Sequence, residues 1–457
     1  MPAHMTYDRP ALPVIRTLWQ NGLTEMKPAL FKSRNGGNPV CRTRPPCTDE
    51  TAKPTTARHG QKVTTMNMHV NNIPAQAAHR IENENGALMS LMQKVADQAA
   101  RSADYLAPTN DLLKTTSEQG EPQMVIEAAH GEPTKILDIN NVAFGQLANH
   151  ADIDVRTAKR LQANYPTEFD ALLNAHFEKE PKRKMLRTFD GLQGNTSNEP
   201  NKGILRAFVS DRFKTFDNAN LLQSSLPQLM DSEAKWRVVS ADISERRMYL
   251  RLKSENQTGT GSEVGDVMAN GIGLSNSEVG SGSISVFQIA WTLACLNGMQ
   301  TQNKNRTSHL TSARDTGDWM LLSDEAKAAD NQALELKVRD LVGAYASREN
   351  FDEVLDQMRS AAGDIIEGEA VDVTEVVNNL GKVMSLSKKE NASVLNGLMA
   401  TIGQSGFEQD KPLSRATLVN AVTACAHRAD VDDVDMWQAR GGALLTMPQR
   451  DWNRIAA

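Results

Sequence analysis

Apolar residues recur at a helical period where the chain first shows a regular pattern. In "GALMSLMQKVADQAARSADYL", Leu88, Leu91, Met92 and Val95 occupy positions i, i+3, i+4 and i+7. This spacing places the four side chains on one face of an amphipathic helix. Shorter helical patterns continue to about residue 190, so we predict a helical region over residues 71–195.

Between residues 200 and 260 the pattern changes to that of β-strands. "GILRAFVSDRFKTFDNANLL" predicts a strand followed by a helix, and "KWRVVSADISERRMYLRLKSE" predicts two strands joined by a turn. In the second of these strands three apolar residues alternate with four polar ones: Met248, Leu250 and Leu252 against Arg247, Tyr249, Arg251 and Lys253. Because successive side chains of a strand point to opposite faces, we expect one core face and one exposed, cationic face.

A Gly/Ser-rich loop precedes the most hydrophobic stretch of the chain, in "GIGLSNSEVGSGSISVFQIAWTLACLNGM". Before the loop, Ile272 and Leu274 predict a third strand. After Gly282, two apolar stripes recur at helical spacing: Val286, Ile289, Ala290, Leu293 and Leu296 in one, Phe287, Trp291 and Cys295 in the other. We therefore expect a buried helix that ends at Gly298, and a strand–strand–strand–helix unit with the loop as its hinge.

The last third of the chain has a helical period. Leu334, Val338, Leu341 and Tyr345 form one stripe, and Ser387 and Glu390 have the spacing of a capping box. Acidic clusters also concentrate here, so the charge is asymmetric along the chain. We expect one of them, "DVDDVDMW", to be a solvated acidic turn.

These patterns predict an α+β fold in which a small antiparallel sheet is flanked by helical N- and C-terminal regions. We expect a disordered or loosely ordered tail over residues 1–70, a helical region over 71–195, a central α+β domain over 196–318 and a helical region over 319–457. The tail is rich in Pro, Thr, Arg and Gly and shows no sustained period. Met66 and Met68 lie near its end and are candidates for the true start.

Composition favours a cytoplasmic protein without a membrane partner. Of the 457 residues 40% are hydrophobic, the mean hydropathy is −0.46 and the net charge is −6. No apolar run approaches the roughly 20 residues needed to span a bilayer, and the N-terminus lacks the apolar core of a signal peptide. Four scattered cysteines are too few for a disulfide framework.

The glycine loop lacks the residues of a nucleotide site. "SNSEVGSGSIS" has no Lys after its glycines, as a P-loop requires, and Asn276 stands where a dinucleotide fingerprint has its third glycine. A turn is the better interpretation, with positive φ at Gly280 and Gly282. Ser277 or Ser283 would cap the following helix, and Glu278 would complement its positive end.

No constellation in the sequence has the spacing of an active site. Cys425 and His427 are two residues apart, and such positions do not face each other on a helix. The histidines and carboxylates show no metal-ligand spacing. We therefore expect no catalytic residues, no cofactor and no metal.

Clustered cations indicate that the protein binds nucleic acid. "KEPKRKMLRTF" has five cations within nine residues: Lys179, Lys182, Arg183, Lys184 and Arg187. Single-strand binding combines a cationic groove with rings on which bases stack, and Tyr249 among the cations of its strand fits that pattern. The alternative is that the basic strand face pairs with acidic neighbours elsewhere in the chain.

Three stretches, "LRAFVSDRFKTFDNANLL", "GIGLSNSEVGSGSISV" and "LACLNGM", resemble a phage- and plasmid-associated family catalogued as domain of unknown function 932. Its members have an R-A-x-x-S-D-R-(Y/F) stretch, an N-S-E-x-G turn and a C-x-N-G helix end. The matching residues are Arg206, Ala207, Ser210, Asp211, Arg212 and Phe213, then Asn276, Ser277, Glu278 and Gly280, then Cys295, Asn297 and Gly298. The resemblance runs from about residue 100 to the end.

This resemblance implies a role in the DNA metabolism of mobile elements. The predicted strand–strand–strand–helix unit is similar to the core of single-strand annealing recombinases of the Redβ/Erf type. Those proteins form rings or filaments with DNA in a basic groove beside the sheet. The implication for this chain is a homo-oligomer, and its basis is an analogy of fold.

We therefore expect a non-enzymatic phage or plasmid protein of the bacterial cytoplasm that binds single-stranded DNA and promotes strand annealing in recombination. The contacts would be the sheet-face residues and their flanking phosphate ligands: Arg247, Tyr249, Arg251 and Lys253, with Arg206, Arg212, Lys304 and Arg306. The alternative is a protein-interaction or assembly component of a mobile element, structural or host-modulating, that docks through its acidic helical half.

Overall fold

A computed structural model describes residues 84–126, 134–190, 202–261, 267–292, 297–301, 305–307, 323–367, 372–402 and 413–456. Helices and two mostly antiparallel sheets make up these residues, which confirms the α+β class. The predicted tail over residues 1–70, with Met66 and Met68, lies outside the described residues, as do Lys304 and Cys295.

The described strands, in chain order, are β1 Ser102–Pro108, β2 Leu112–Thr116, β3 Pro122–Ile126, β4 Lys135–Ile139, β5 Arg183–Asp190, β6 Lys202–Ser210, β7 Trp236–Ile243, β8 Met248–Thr260, β9 Val267–Asn276, β10 Ile284–Thr292, β11 Asn297–Gln300 and β12 Asn305–Thr307.

The described α-helices are α1 Glu84–Arg101, α2 Asn141–His150, α3 Val155–Asn164, α4 Pro166–Lys179, α5 Asn218–Asp231, α6 Asp324–Tyr345, α7 Arg348–Gly363, α8 Val373–Val383, α9 Lys388–Ile402, α10 Arg415–Ala424, α11 Val431–Leu445 and α12 Gln449–Ala456.

Sheet 1 has the strand order β1-β5-β6-β4-β3-β2, with only β4 and β6 parallel. Helices α2, α3 and α4 cover one of its faces through a core that includes Phe144, Phe169 and Phe177. In β6 a bulge interrupts the ladder: Arg187 pairs with Ala207 and Thr188 with Leu205, which leaves Arg206 as the extra residue. A bulge re-aims a side chain, and here it turns Arg206 away from the helices.

Sheet 1 corrects the prediction of a helical region over residues 71–195. That region contributes five strands, and its predicted boundary at residue 195 lies between β5 and β6 of one sheet. The strand pattern is hidden because two cations occupy interior positions: Lys114 on β2 is 1% exposed and Arg187 on β5 is 0% exposed. A prediction that places every cation in contact with solvent misses such strands.

Sheet 2 has the order β11-β10-β9-β8-β7, with β12 also pairing with β10. Helices α1, α5 and α6 cover one face, where Met248, Leu250 and Leu252 are buried as predicted. The stripes predicted for α1 and α6 pack into this same core. The two sheets therefore each bury one face under helices, as layered folds require.

The helix predicted after Gly282 is wrong, because residues Ile284–Thr292 form strand β10 in the interior of sheet 2. Every residue of β10 is buried, so its sequence shows no polar alternation. A short apolar run buried on both faces fits a helical and an extended period equally well. Asn297 and Gly298 begin strand β11 and do not end a helix; Leu293 and Leu296 lie outside the described residues.

The glycines of β9 leave room for the rings of β10. A Cβ at Gly273 would lie 2.1 Å from a ring carbon of Phe287, and one at Gly271 would lie 2.2 Å from the indole nitrogen of Trp291. That nitrogen donates a hydrogen bond to the Leu252 carbonyl oxygen at 3.0 Å. The "GIG" glycines therefore serve packing within the sheet, not a ligand.

Helices α7 to α12 form the C-terminal unit and share a core with sheet 2 through Met268, Ala290 and Met299. The capping box predicted at Ser387 and Glu390 is confirmed, since each backbone N–H donates to the other's side chain. Helix α11 approaches β11 closely: a Cβ at Gly442 would lie 1.8 Å from the Gln300 carbonyl oxygen. This contact lays α11 against the sheet.

Candidate functional site

The polar side of β8 faces helix α11. Tyr249 is 0% exposed and Arg251 is 4% exposed, so the expectation of an exposed cationic platform is wrong for both. Arg251 forms an ion pair with Asp435 at 2.7 Å, and the Tyr249 hydroxyl donates to Asp432 at 3.0 Å. The alternative interpretation, that this strand face pairs with the chain's own carboxylates, is confirmed for these two residues.

The acidic run "DVDDVDMW" accounts for this correction. It forms the first turns of α11 and directs carboxylates at the sheet, whereas we predicted a solvated turn. Burial raises the pKa of Tyr249, so its hydroxyl stays protonated as a donor. A substitution such as Arg251→Glu would set two carboxylates against each other inside the fold, and it cannot test DNA binding alone.

Lys253 lies at the less covered end of the same strand face. Its side chain is half-buried, and burial together with nearby Arg237 lowers its pKa. Glu255 is the carboxylate that counters this shift. Arg247 and Lys253 are therefore the two residues of the predicted Arg247–Tyr249–Arg251–Lys253 face that remain partly accessible.

The two longest family-like motifs meet in an ionic junction between the sheets. Arg206, aimed by the β6 bulge, forms an ion pair with Glu278 of the β9–β10 turn. Arg187 donates to the Glu278 carbonyl oxygen at 2.8 Å and pairs with Asp217 at 2.8 Å and Asp104 at 3.0 Å. Arg206 was predicted to contact phosphate, but at 4% exposure it is part of this junction.

The Glu278 carboxylate is fully paired. It also accepts a hydrogen bond from the Asn218 backbone N–H at 2.7 Å. Burial alone would raise the pKa of Glu278, but Arg206 and Arg187 outweigh burial and hold that pKa below its ordinary value. We predicted Glu278 beside a helix end; it is instead the anionic centre of the contact between the two sheets.

The rest of the N-S-E-x-G turn holds neighbouring segments in place. Asn276 donates to the Phe216 carbonyl oxygen at 2.9 Å, and the Ser277 hydroxyl donates to the Arg246 carbonyl oxygen at 2.7 Å. Ser277 also accepts from the Ser281 backbone N–H at 2.9 Å, so it caps the turn and not a helix. Strand β10 follows the turn, so Ser283 caps no helix either.

Only one of the two loop glycines has the predicted backbone. Gly280 has φ +75°, whereas Gly282 is not among the described residues with positive φ. Gly282 instead makes room for Arg247, because a Cβ there would lie 1.7 Å from a guanidinium nitrogen. The guanidinium of Arg247 therefore lies across the turn at Gly282.

An open cleft of about 640 Å³ lies between this turn and sheet 1. Its walls come from the end of α2 and the following turn, the start of β5, the end of β6 with its loop, and the β9–β10 turn. The lining residues are Gln146, Asn149, His150, Asp152, Lys182, Lys184, Phe208, Val209, Ser210, Phe213, Gly280, Gly282 and Ser283.

Two lysines line the cleft, and two arginines lie close to residues that line it. Lys182 is exposed and Lys184 half-buried at the start of β5, Arg212 is exposed between two lining residues, and Arg247 lies on Gly282. Burial, with a smaller effect of Lys182, lowers the pKa of Lys184. Asp152 is the carboxylate among the lining residues, against two lysines. Glu180 pairs with Lys182 at 3.6 Å, and Asp211 partly counters the lowered pKa of Lys184.

His150 lines the cleft, and the ring of His176 packs against it. The rings of His150 and His176 are 5.3 Å apart, and neither Nε2 atom has a hydrogen-bond partner within the described part of the chain. Burial, then Lys184, His176 and Lys182, lowers the pKa of His150 to about 4. His150 is therefore neutral near pH 7 and offers one donor and one acceptor.

The residues predicted from the sequence lie in different places relative to this cleft. Gly280 and Gly282 line it, Arg212 lies between two lining residues, and Arg247 lies on Gly282. Arg306 pairs with Ser285 through β12, and its side chain lies outside the description, as does Lys304. Lys182 and Lys184 belong to the cationic segment noted in the sequence, but His150 carried no signal there.

No protein-family model, no curated protein and no solved structure matches the chain. Within the described residues, no group of three His, Cys, Asp or Glu side chains is arranged to hold a metal ion. None of the described helices combines the length and apolar character that crossing a bilayer requires.

Proposed function

We propose that this protein binds single-stranded DNA, without catalysing a reaction, at the cationic cleft between sheet 1 and the β9–β10 turn. The observation that carries the proposal is the presence of Lys182 and Lys184 in the lining of one open cleft, with the exposed Arg212 between the lining residues Ser210 and Phe213.

Phosphate is the group that suits this arrangement. A nucleic acid strand gains affinity when lysine and arginine side chains replace its condensed counterions. The glycine turn adds backbone close to the ligand, because Gly280 and Gly282 carry no side chain into the space. The covered face of β8 takes no part, since Tyr249 and Arg251 are engaged with α11.

The resemblance to the phage and plasmid family supports the biological setting of this proposal. In that setting the protein holds single strands in the bacterial cytoplasm. The analogy with annealing recombinases, and the homo-oligomer it implied, lose their basis because strand β10 stands where the helix of the predicted unit was expected. The motif residues Arg206 and Glu278 would then have a structural task, which is to hold the cleft walls together.

The test is a pair of charge reversals with equal change in net charge. Lys182→Glu with Lys184→Glu alters the cleft, while Lys388→Glu with Lys389→Glu alters exposed positions on α9. Binding of a labelled oligothymidylate is followed by fluorescence anisotropy over a range of salt. Three phosphate contacts give a slope of log K against log salt of about −2, and removing two reduces its magnitude by about 1.4.

We expect the cleft variant to lose at least about tenfold in affinity at low salt and the α9 variant to keep the affinity of the original chain. Equal loss in both variants would mean that net charge alone acts, and no binding by the original chain would remove the proposal. In size-exclusion chromatography, a particle indifferent to oligonucleotide would favour the alternative assembly role.

A further inference from the structure

The size of the cleft indicates a ligand unit smaller than a strand. Sites for small molecules and cofactors have volumes of about 300–1,000 Å³, and the cleft has about 640 Å³. It is bounded on one side by the end of α2 and on the other by the β9–β10 turn. A strand that runs across the protein would therefore insert one unit here and continue outside.

The chemistry of the cleft differs between its rim and its back. Lys182 lines the cleft and is exposed, and the exposed Arg212 lies between two lining residues, so both offer positive charge to phosphate at the rim. Phe208 and Phe213 are 3% and 1% exposed and form an apolar part of the wall. A small inorganic anion would contact the rim cations and would gain no affinity from the apolar wall.

Neutral polar groups lie beside the apolar wall. Asn149 is exposed at the end of α2, and its amide has donors and an acceptor. His150 follows it, uncharged near pH 7 because burial and the neighbouring cations lower its pKa to about 4. Gln146 is not free to join them, since it donates to the Val279 carbonyl oxygen and accepts from Phe208.

We propose that the cleft takes a single nucleotide unit, with its phosphate among the rim cations and its base directed inward toward Asn149 and His150. This inference rests on the proposed function and specifies the part of the strand that the cleft recognises. A cationic rim and a neutral, partly apolar interior match the two halves of a nucleotide. Neither half alone would use both parts of the cleft.

The experiment displaces a labelled oligothymidylate with three unlabelled probes: thymidine 5′-monophosphate, deoxyribose 5-phosphate and inorganic phosphate. We expect the nucleotide to compete at concentrations about tenfold lower than deoxyribose 5-phosphate, which is the scale of one base contact. An oligonucleotide of abasic sites should likewise bind about tenfold less tightly than the intact one. Equal competition by all three probes overturns the inference and leaves phosphate binding intact.

A matched pair of variants locates the base. Asn149→Leu replaces the amide in the cleft, and Asn141→Leu makes the same change at the exposed other end of α2. We expect only Asn149→Leu to weaken competition by the nucleotide, with inorganic phosphate unaffected in both. Loss in neither variant overturns the placement of the base. Failure of the oligonucleotide itself to bind is a different result, since it removes the proposed function.

Discussion

At the scale of the residue, more charged side chains are buried and paired inside this structure than the sequence suggests. Lys114, with its side chain at 0% exposure, pairs with Asp170 and donates to Gln162 at 2.7 Å. Arg187, equally buried, meets two carboxylates and one carbonyl oxygen. Such groups are tolerated inside because each has hydrogen-bond partners. The sequence cannot supply those partners, since they lie 30 to 91 positions away.

His150 gives a pH-dependent stability. Its pKa is about 4 in the folded chain and about 6.5 in the unfolded one, so its contribution is complete above pH 6.5 and is lost as the pH falls toward 4. We expect the free energy of unfolding to fall by on the order of 1 kcal/mol from pH 7.5 to pH 5, after allowance for partial exposure of the ring.

Urea denaturation of the original chain and of His150→Phe measures this contribution. The variant keeps a ring among Phe177 and Phe208 but does not titrate. Its stability should therefore decline less at pH 5, while His427→Gln, at an exposed position, should follow the original chain. Parallel curves for the original chain and His150→Phe would show that His150 is not the group that titrates.

At the scale of the element, the period of apolar residues identifies a helix or strand where one face is polar and fails where both faces are largely apolar. The alternation along β8 and the stripe of α1 were predicted correctly from residues such as Leu250 and Leu91. Strand β10 was mistaken for a helix, because Val286 and Ile289 fit either period. Strand β10 is extended because it pairs with β9, where two glycines leave space for the aromatic rings of β10. The local sequence of β10 does not indicate this pairing.

The outer edge of sheet 1 is closed by a side chain. On edge strand β2, the Lys114 backbone N–H donates to Asn174 Oδ1 at 2.8 Å, and Asn174 Nδ2 donates back to the Lys114 carbonyl oxygen at 2.9 Å. The amide of α4 thus imitates a neighbouring strand. An unpaired edge is a template for pairing with another chain, and this contact removes that opportunity.

Asn174→Ala tests the closed edge. We expect a loss of about 1–3 kcal/mol in the free energy of unfolding, because one buried N–H and one carbonyl lose their partners. Analytical ultracentrifugation should also detect concentration-dependent association. Asn164→Ala is the control, since its amide donates only within α3 to the Arg160 carbonyl oxygen. Identical behaviour of the two variants would contradict the role assigned to Asn174.

At the scale of the whole molecule, the two sheets are joined through Glu278. The motifs around Arg206 and Glu278 stand out in the sequence. The ion pair between them could not be predicted, because 72 positions separate the two residues. The candidate cleft has the same origin, because its walls derive from four segments that only the assembled sheets bring together. Local pattern therefore could not predict how these segments meet.

Glu278→Gln should weaken the junction between the sheets. The change keeps the shape of the side chain and leaves Arg206 buried without its carboxylate, for which we expect a loss of about 3–5 kcal/mol. Urea denaturation measures it, with the exposed Glu245→Gln as control. Replacing both partners, Arg206→Met with Glu278→Leu, should recover much of the loss. A Glu278→Gln variant as stable as the control would show that the junction contributes little.

Helix α11 has a consequence for any polyanion that approaches the protein. Its carboxylates belong to the same chain as β8, so they reside at that basic strand with the high effective concentration that covalent linkage confers. A nucleic acid that approached β8 would have to displace the α11 carboxylates, which remain attached to the same chain. A nucleic acid bound in the cleft would not compete with these carboxylates. Arg251 and Tyr249 would stay bound to Asp435 and Asp432 of α11.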